Sequence, residues 1–267
     1  MKKYNKIAVM IRGQLRTWNF CKHNHFYVYE KIAHQVDYYF ATWDDADYDL
    51  AAIKRDFDGK NLVELIECPL HEVYFTAWTG PAWLNYNLSL YRNAHGQKYD
   101  AVFDQRTDTL NWLQWEPYEI EPMTMYTPDP PFRNSQERID LGYGSTGVTD
   151  YGFMSDSHTY DLLSQRFIIM ATTGKESPEH CLEDYCKEKN IDMPGGSILN
   201  QQVCRPDIFI DYKDPIIMVT PDIIERLNRG INLIWKTLTR EQKVALCESN
   251  GISVNDYVGK RDHYTRD

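Results

Sequence analysis

YDAVFDQRTD, residues 99–108, starts apolar and ends as a cluster of charge. Tyr99 to Phe103 suits a strand entering a core. Asp104, Arg106 and Asp108 follow at alternate positions, so a strand that continued would set all three on one face. Two carboxylates around a guanidinium at the end of a buried strand have two readings. One is an internal ion pair on a solvated strand end; the other is a ligand site. The segments on either side decide between them.

Upstream, KIAVMI (Lys6 to Ile11) is a short apolar run that breaks at RGQLRT, which predicts a buried strand followed by a glycine-containing loop. Asn19 to Ala33 suits a helix, and VDYYFATWDD (Val36 to Asp45) suits a second strand. VELIEC (63–68) and EVYFTA (72–77) are two further strand-like pieces. Pro81 fits the first turn of a helix running to about His95, with Leu84, Leu88 and Tyr91 as its apolar residues. This alternation of strands and helices predicts an α/β fold with a mostly parallel central sheet flanked by helices. Each of three strands ends in polar residues: Arg12 and Arg16, Thr42 to Asp45, and Asp104 to Asp108. Open α/β sheets bind ligands at the carboxyl ends of their strands, so the three ends are expected to form one site.

Downstream, residues 116–147 are rich in proline, glycine and polar residues, as in a long binding loop or lid. VTDYGFMSDS (148–157) is expected to contain a strand. A helix over SHTYDLLSQRF (157–167) follows, capped by Ser155 or Ser157. SPEHCLEDYCKEKN (177–190) reads as a helix capped by Ser177 and started by Pro178. RPDIFIDY (205–212) is a strand candidate. Residues 221–236 and 239–249 are expected to form a helical C-terminal extension.

The 267 residues suit one large domain with an extension, and 42% apolar with 25% charged residues is ordinary for a globular chain. A net charge of −10 disfavours nucleic acid and anionic membranes. The charge is uneven: the chain from Pro221 onward carries +1 and the rest −11. The six cysteines form no C-x-x-C pair and no zinc spacing, which suits buried free thiols in a reducing compartment. No apolar run has the length of a signal peptide or a membrane span, so a cytosolic protein is expected. His23 and His25 are expected on the surface of the first helix, and most of the aromatic rings in packing roles.

The dinucleotide G-x-G-x-x-G, the P-loop, G-x-S-x-G and H-E-x-x-H motifs are all missing. RGQLRT instead offers two guanidiniums and a glycine after the first strand. That combination suits a diphosphate, or else two surface arginines around a turn. Asp104 and Asp108 are candidate ligands for Mg²⁺ or Mn²⁺, with Arg106 between them as a candidate partner for either carboxylate.

Taken in order, IAVMIRGQLRTW, VDYYFATWDD and YDAVFDQRTD resemble a family of viral and bacterial glycosyltransferases. Its members share a G-Q-x-R-T loop, a D-x-F-x-x-T-W-D strand and a Y-D-x-V-x-x-x-R-x-D strand. The resemblance covers roughly residues 6–110. It implies a GT-A-like (Rossmann-like) fold, with a catalytic domain over 1–220 and a helical extension over 221–267. Within that domain, 1–115 would be the nucleotide-sugar half and 116–220 the acceptor half. By position, Gly13, Gln14, Arg16 and Thr17 match the first loop, and Thr42, Trp43 and Asp44 match the nucleotide-binding strand end. Arg106 and Asp108 match the diphosphate or metal position. The sequence departs from the D-x-D form of that fold, because Arg106 stands where the first aspartate would be.

The implied reaction moves a sugar from a nucleotide-sugar donor to a hydroxyl acceptor. A glycan is the expected acceptor, and a hydroxymethylated DNA base of a virus is the alternative. In this reading Arg12, Arg16 and Arg106 neutralise the departing diphosphate, with Asp108 and Asp104 on a divalent cation. Asp150, with Asp156 as second candidate, would be the base of an inverting transfer. The rival reading is a non-catalytic nucleotide- or glycan-binding module. A viral member would act in the host cytoplasm.

Overall fold

The computed structural model describes residues 3–15, 18–44, 50–68, 79–113, 115–128, 152–166, 168 and 178–203. The expected elements over 72–77 and 205–212 and the C-terminal extension lie outside them, as do Arg16, Thr17, Asp150 and Ser177.

Five strands form the main sheet in the order β3-β2-β1-β4-β6. They are β1 (Tyr4–Arg12), β2 (Ala33–Trp43), β3 (Asn61–Cys68), β4 (Ala101–Arg106) and β6 (Gly152–Ser155). The first four run parallel, and β6 is antiparallel to β4. A mixed, mostly parallel α/β sheet is therefore present. Parallel neighbours need crossover connections. Helix α1 (Trp18–Ile32) links β1 to β2, α2 (Leu50–Asp56) lies between β2 and β3, and α3 (Thr79–Ala94) precedes β4. Beyond β6 come α4 (Ser157–Ser164) and α5 (Pro178–Lys189). A separate two-stranded antiparallel sheet pairs β5 (Thr109–Leu113) with β7 (Leu199–Val203).

Strand alternation explains why helices cover both faces. Ile7, Val9, Ile11, Tyr38, Phe40 and Phe103 face the layer that holds Trp18, Phe26, Ile53 and Phe57 of the α1–α2 side. Ala8, Met10, Tyr39, Ala41 and Val102 face Leu84, Leu88, Tyr160, Leu163 and Leu182 on the other. Trp18 anchors the first layer, with its ring 4.8 Å from Phe40 and its indole N–H donated to Asp56 Oδ2 at 2.9 Å. In α3, Leu84 and Leu88 are buried as expected, whereas Tyr91 is 42% exposed.

Several expectations need correction. The helix after β6 is capped by Asp156, whose Oδ1 accepts from the His158 and Thr159 backbone N–H groups at 2.8 and 3.1 Å; neither Ser155 nor Ser157 is the cap. His23 is exposed, but His25 is fully buried. The helix runs directly into β2 at Ala33, and β2 begins earlier than the apolar run suggests. The four described cysteines, Cys21, Cys68, Cys181 and Cys186, are buried and form no disulfide.

Gly152 has the closest surroundings of the described glycines. A Cβ there would lie 2.5 Å from the Asp104 carbonyl oxygen and 2.8 Å from Gln201 Nε2. Gly152→Ala is accordingly expected to destabilise by about 1–3 kcal/mol, because the obstacle is backbone that must shift. Urea unfolding of the variant checks this, and a wild-type midpoint would contradict the packing.

Candidate functional site

Strands β2, β1 and β4 are adjacent and parallel, so their carboxyl ends share one edge of the sheet. Chain order runs outward from β1 through β2 to β3, then returns to the other side of β1 for β4. The reversal between β1 and β4 is a topological switch point, where open α/β sheets leave a crevice. At that point Arg12 and Arg106 are register partners. The expected loop after β1 and the charged turn after β4 thus lie side by side.

Thr107, which the sequence reading passed over, fastens these two segments together. Its backbone N–H donates to the Arg12 carbonyl at 3.0 Å, and its hydroxyl donates to the Gln14 carbonyl. Gly13 N–H donates to the Ala41 carbonyl at 3.1 Å, tying the same loop to β2. Gly13 has φ +129°, and a Cβ there would sit 3.0 Å from Thr107 Oγ1. Both facts require glycine. Gly13 and Gln14 are half-buried.

The acid–arginine cluster is wired differently from its spacing. The strand ends at Arg106, and Thr107 and Asp108 form a turn. Asp104 pairs across to β1: Arg12 Nε donates to Asp104 Oδ1 at 3.0 Å and Arg12 Nη2 to Oδ2 at 2.7 Å. Both side chains are enclosed, 1% and 0% exposed. Asp108 folds back on Arg106, with Nε–Oδ1 at 2.8 Å and Nη2–Oδ2 at 2.9 Å. This second pair is partly open, with the side chains 14% and 7% exposed. Of the two described arginines expected to meet a diphosphate, Arg12 is therefore committed to the core and Arg106 reaches the surface.

At the β2 end, Thr42 and Trp43 are buried, and Trp43 packs against Gly80 at the start of α3. Asp44 is half-buried and donates its backbone N–H to the Cys68 carbonyl at 2.9 Å. Asp156 belongs to the α4 cap, and Thr159 Oγ1 donates to its second carboxylate oxygen. That cap role accounts for both oxygens.

Neither aspartate of the cluster fits a divalent cation. The Asp104 carboxylate is sealed on Arg12. A cation on Asp108 would stand about 4 Å from the Arg106 guanidinium, a repulsion of about 8 kcal/mol at an effective dielectric of about 20. Among the described residues, no group of three or more histidine, cysteine, aspartate or glutamate side chains could hold a metal ion.

Beneath the turn lies a buried polar network. Asn24 Nδ2 donates to the Asn111 carbonyl at 2.8 Å, Asn111 N–H donates to Asn24 Oδ1 at 2.6 Å, and Asn111 Nδ2 lies 3.3 Å from His25 Nδ1. It clamps β5, and with it the Asp108 turn, onto α1. Burial pushes the His25 pKa down to about 4, against the upward pull of the Asp108 charge and the Thr109 backbone. The unfolded chain protonates this group near 6.5 and the folded chain near 4. Its contribution is thus complete above about 6.5 and is lost as pH falls toward 4, about 3 kcal/mol in all. Urea titrations at pH 7 and 4.5 should show this loss in the wild type and a smaller one in His25→Gln. Equal losses in the two proteins would contradict it.

No helix among the described residues is long and apolar enough to cross a membrane. The chain matches no protein-family model, and no curated protein matches it.

Proposed function

We propose that the chain is a glycosyltransferase with a GT-A-like fold that takes a nucleotide-sugar donor at the β1–β4 crevice. The observation that carries this reading is the register pairing of Arg12 with Arg106. It sets the glycine-containing loop and the QRTD turn against each other at the switch point, where a diphosphate can meet both. Gly13 and Gln14 of that loop are held by the Ala41 carbonyl and the Thr107 hydroxyl, which lowers the ordering cost left for binding. The three motifs that resemble viral and bacterial glycosyltransferases are the three strand ends of this one edge.

In the reaction, the bond from the anomeric carbon to the diphosphate breaks, and its electron pair leaves on the terminal phosphate oxygen. The acceptor hydroxyl oxygen bonds to the anomeric carbon and gives up its proton. Arg106 is the cation assigned in this proposal to stabilise the growing negative charge, a role in which a preorganised donor is most effective. Arg12 serves by fixing the strand end. Asp150 is the proposed base, and a glycan hydroxyl suits the chain's charge of −10 better than DNA does.

Two measurements test the reading. Mass spectrometry of ligand co-purifying with the protein is expected to find a nucleoside diphosphate or nucleotide sugar. In thermal unfolding, the matching nucleoside diphosphate at about 100 times its dissociation constant should raise Tm by about 5–10 °C. Absence of a shift with any nucleoside diphosphate would overturn the proposal.

A further inference from the structure

The two ion pairs of the site differ in one respect that bears on ligand binding. Arg12–Asp104 is sealed in the core. Arg106–Asp108 is less enclosed, with side chains 14% and 7% exposed; the two residues stand two apart across a turn, with Arg106 Nε on Asp108 Oδ1 and Nη2 on Oδ2. This is the geometry with which arginine grips a phosphate. The backbone between the two residues is fixed, because Thr107 is bonded to the carbonyls of Arg12 and Gln14.

We infer that Asp108 is an internal stand-in for the donor's diphosphate: it holds Arg106 until the diphosphate displaces it. This rests on the glycosyltransferase reading and adds how that site is occupied before the donor arrives. Asp108 then competes with the ligand for Arg106. Removing its charge tightens diphosphate binding, and no divalent cation is needed for that binding. A metal-ligand role for Asp108 has the opposite sign, since its loss would then weaken binding.

The test is calorimetric titration of the wild-type chain, Asp108→Asn, Asp108→Ser and Arg106→Gln. The ligands are UDP, GDP, ADP, CDP and dTDP, each in EDTA and in Mn²⁺, with circular dichroism confirming the fold of each variant. In EDTA, the aspartate variants are expected to bind the preferred nucleotide about three- to tenfold more tightly than wild type. Arg106→Gln is expected to bind it at least about tenfold more weakly. Two aspartate variants are used so that one misfolded protein does not decide the matter. Binding that is unchanged or weaker in the folded aspartate variants, or that appears only with Mn²⁺, overturns the inference and leaves the glycosyltransferase reading standing. Failure of every nucleotide to bind every protein, with and without Mn²⁺, overturns both.

Discussion

Replacing Arg12 with leucine is expected to destabilise the fold by about 3–5 kcal/mol, because it strands the Asp104 carboxylate in the core without its partner. Asp104 is fully enclosed, and its two oxygens take the Arg12 guanidinium fork at 2.7–3.2 Å. The pair itself adds little net stability, since its formation offsets the desolvation of two ions. What costs energy is breaking it. The double replacement Arg12→Met with Asp104→Leu should therefore recover most of the loss. For a chain of this size the single variant should lower Tm by about 10 °C or more. Calorimetry on the two proteins reads the difference directly. A single variant as stable as wild type would mean that Asp104 reaches solvent or a cation after all.

Arg106→Gln is expected to lower donor turnover by about 10²–10³-fold in protein that circular dichroism shows to be folded. Arg106 ends β4, and its side chain is mostly enclosed beside Asp108, so glutamine, which keeps part of its length, is used in place of a truncation. Glutamine keeps hydrogen-bonding capacity but carries no charge to meet the departing diphosphate. Arg106→Lys separates charge from geometry: lysine restores the charge without the two-pronged fork, and intermediate turnover is the expected outcome. Steady-state kinetics with the preferred donor checks both variants, and near-wild-type turnover in Arg106→Gln would remove Arg106 from the chemistry.

The strands that build the site are legible in the sequence because they are buried on both faces. KIAVMI, VDYYFATW and AVF leave no polar face, and a run of that kind reads as a central parallel strand. The polar residues that end each run mark the ligand edge. Short elements of mixed polar and apolar residues are not legible in this way. α2, β5 and β7 carry mixed residues such as LAAIKRD and LNQQV, whose place is set by partners far along the chain. Gly152, in the last strand of the sheet, owes its necessity to the Asp104 carbonyl and Gln201.

The candidate site shows the same division. Its residues lie close together in sequence, so the cluster around Arg106 is visible in YDAVFDQRTD. Its wiring is not, because spacing pairs Arg106 equally with Asp104 and Asp108. Tertiary structure breaks the tie: β1 lies beside β4, so Met10 and Arg12 become neighbours of Asp104 and Arg106, and Arg12 takes Asp104. Thr107 escaped notice because its two bonds run to backbone carbonyls, which leave no pattern in side chains. His25 looks like a surface residue by type, yet it sits beneath the turn because α1 turns it toward Asn111.

Hydrolysis of nucleotide sugars in the absence of acceptor tests the central claim most directly. The wild-type chain, incubated with a panel of UDP-, GDP-, ADP-, CDP- and dTDP-sugars, is expected to release the nucleotide slowly from one donor class, and Arg106→Gln is expected to lose that release. A folded wild-type chain that hydrolyses none of them and gains no thermal stability from any nucleoside diphosphate would contradict the account.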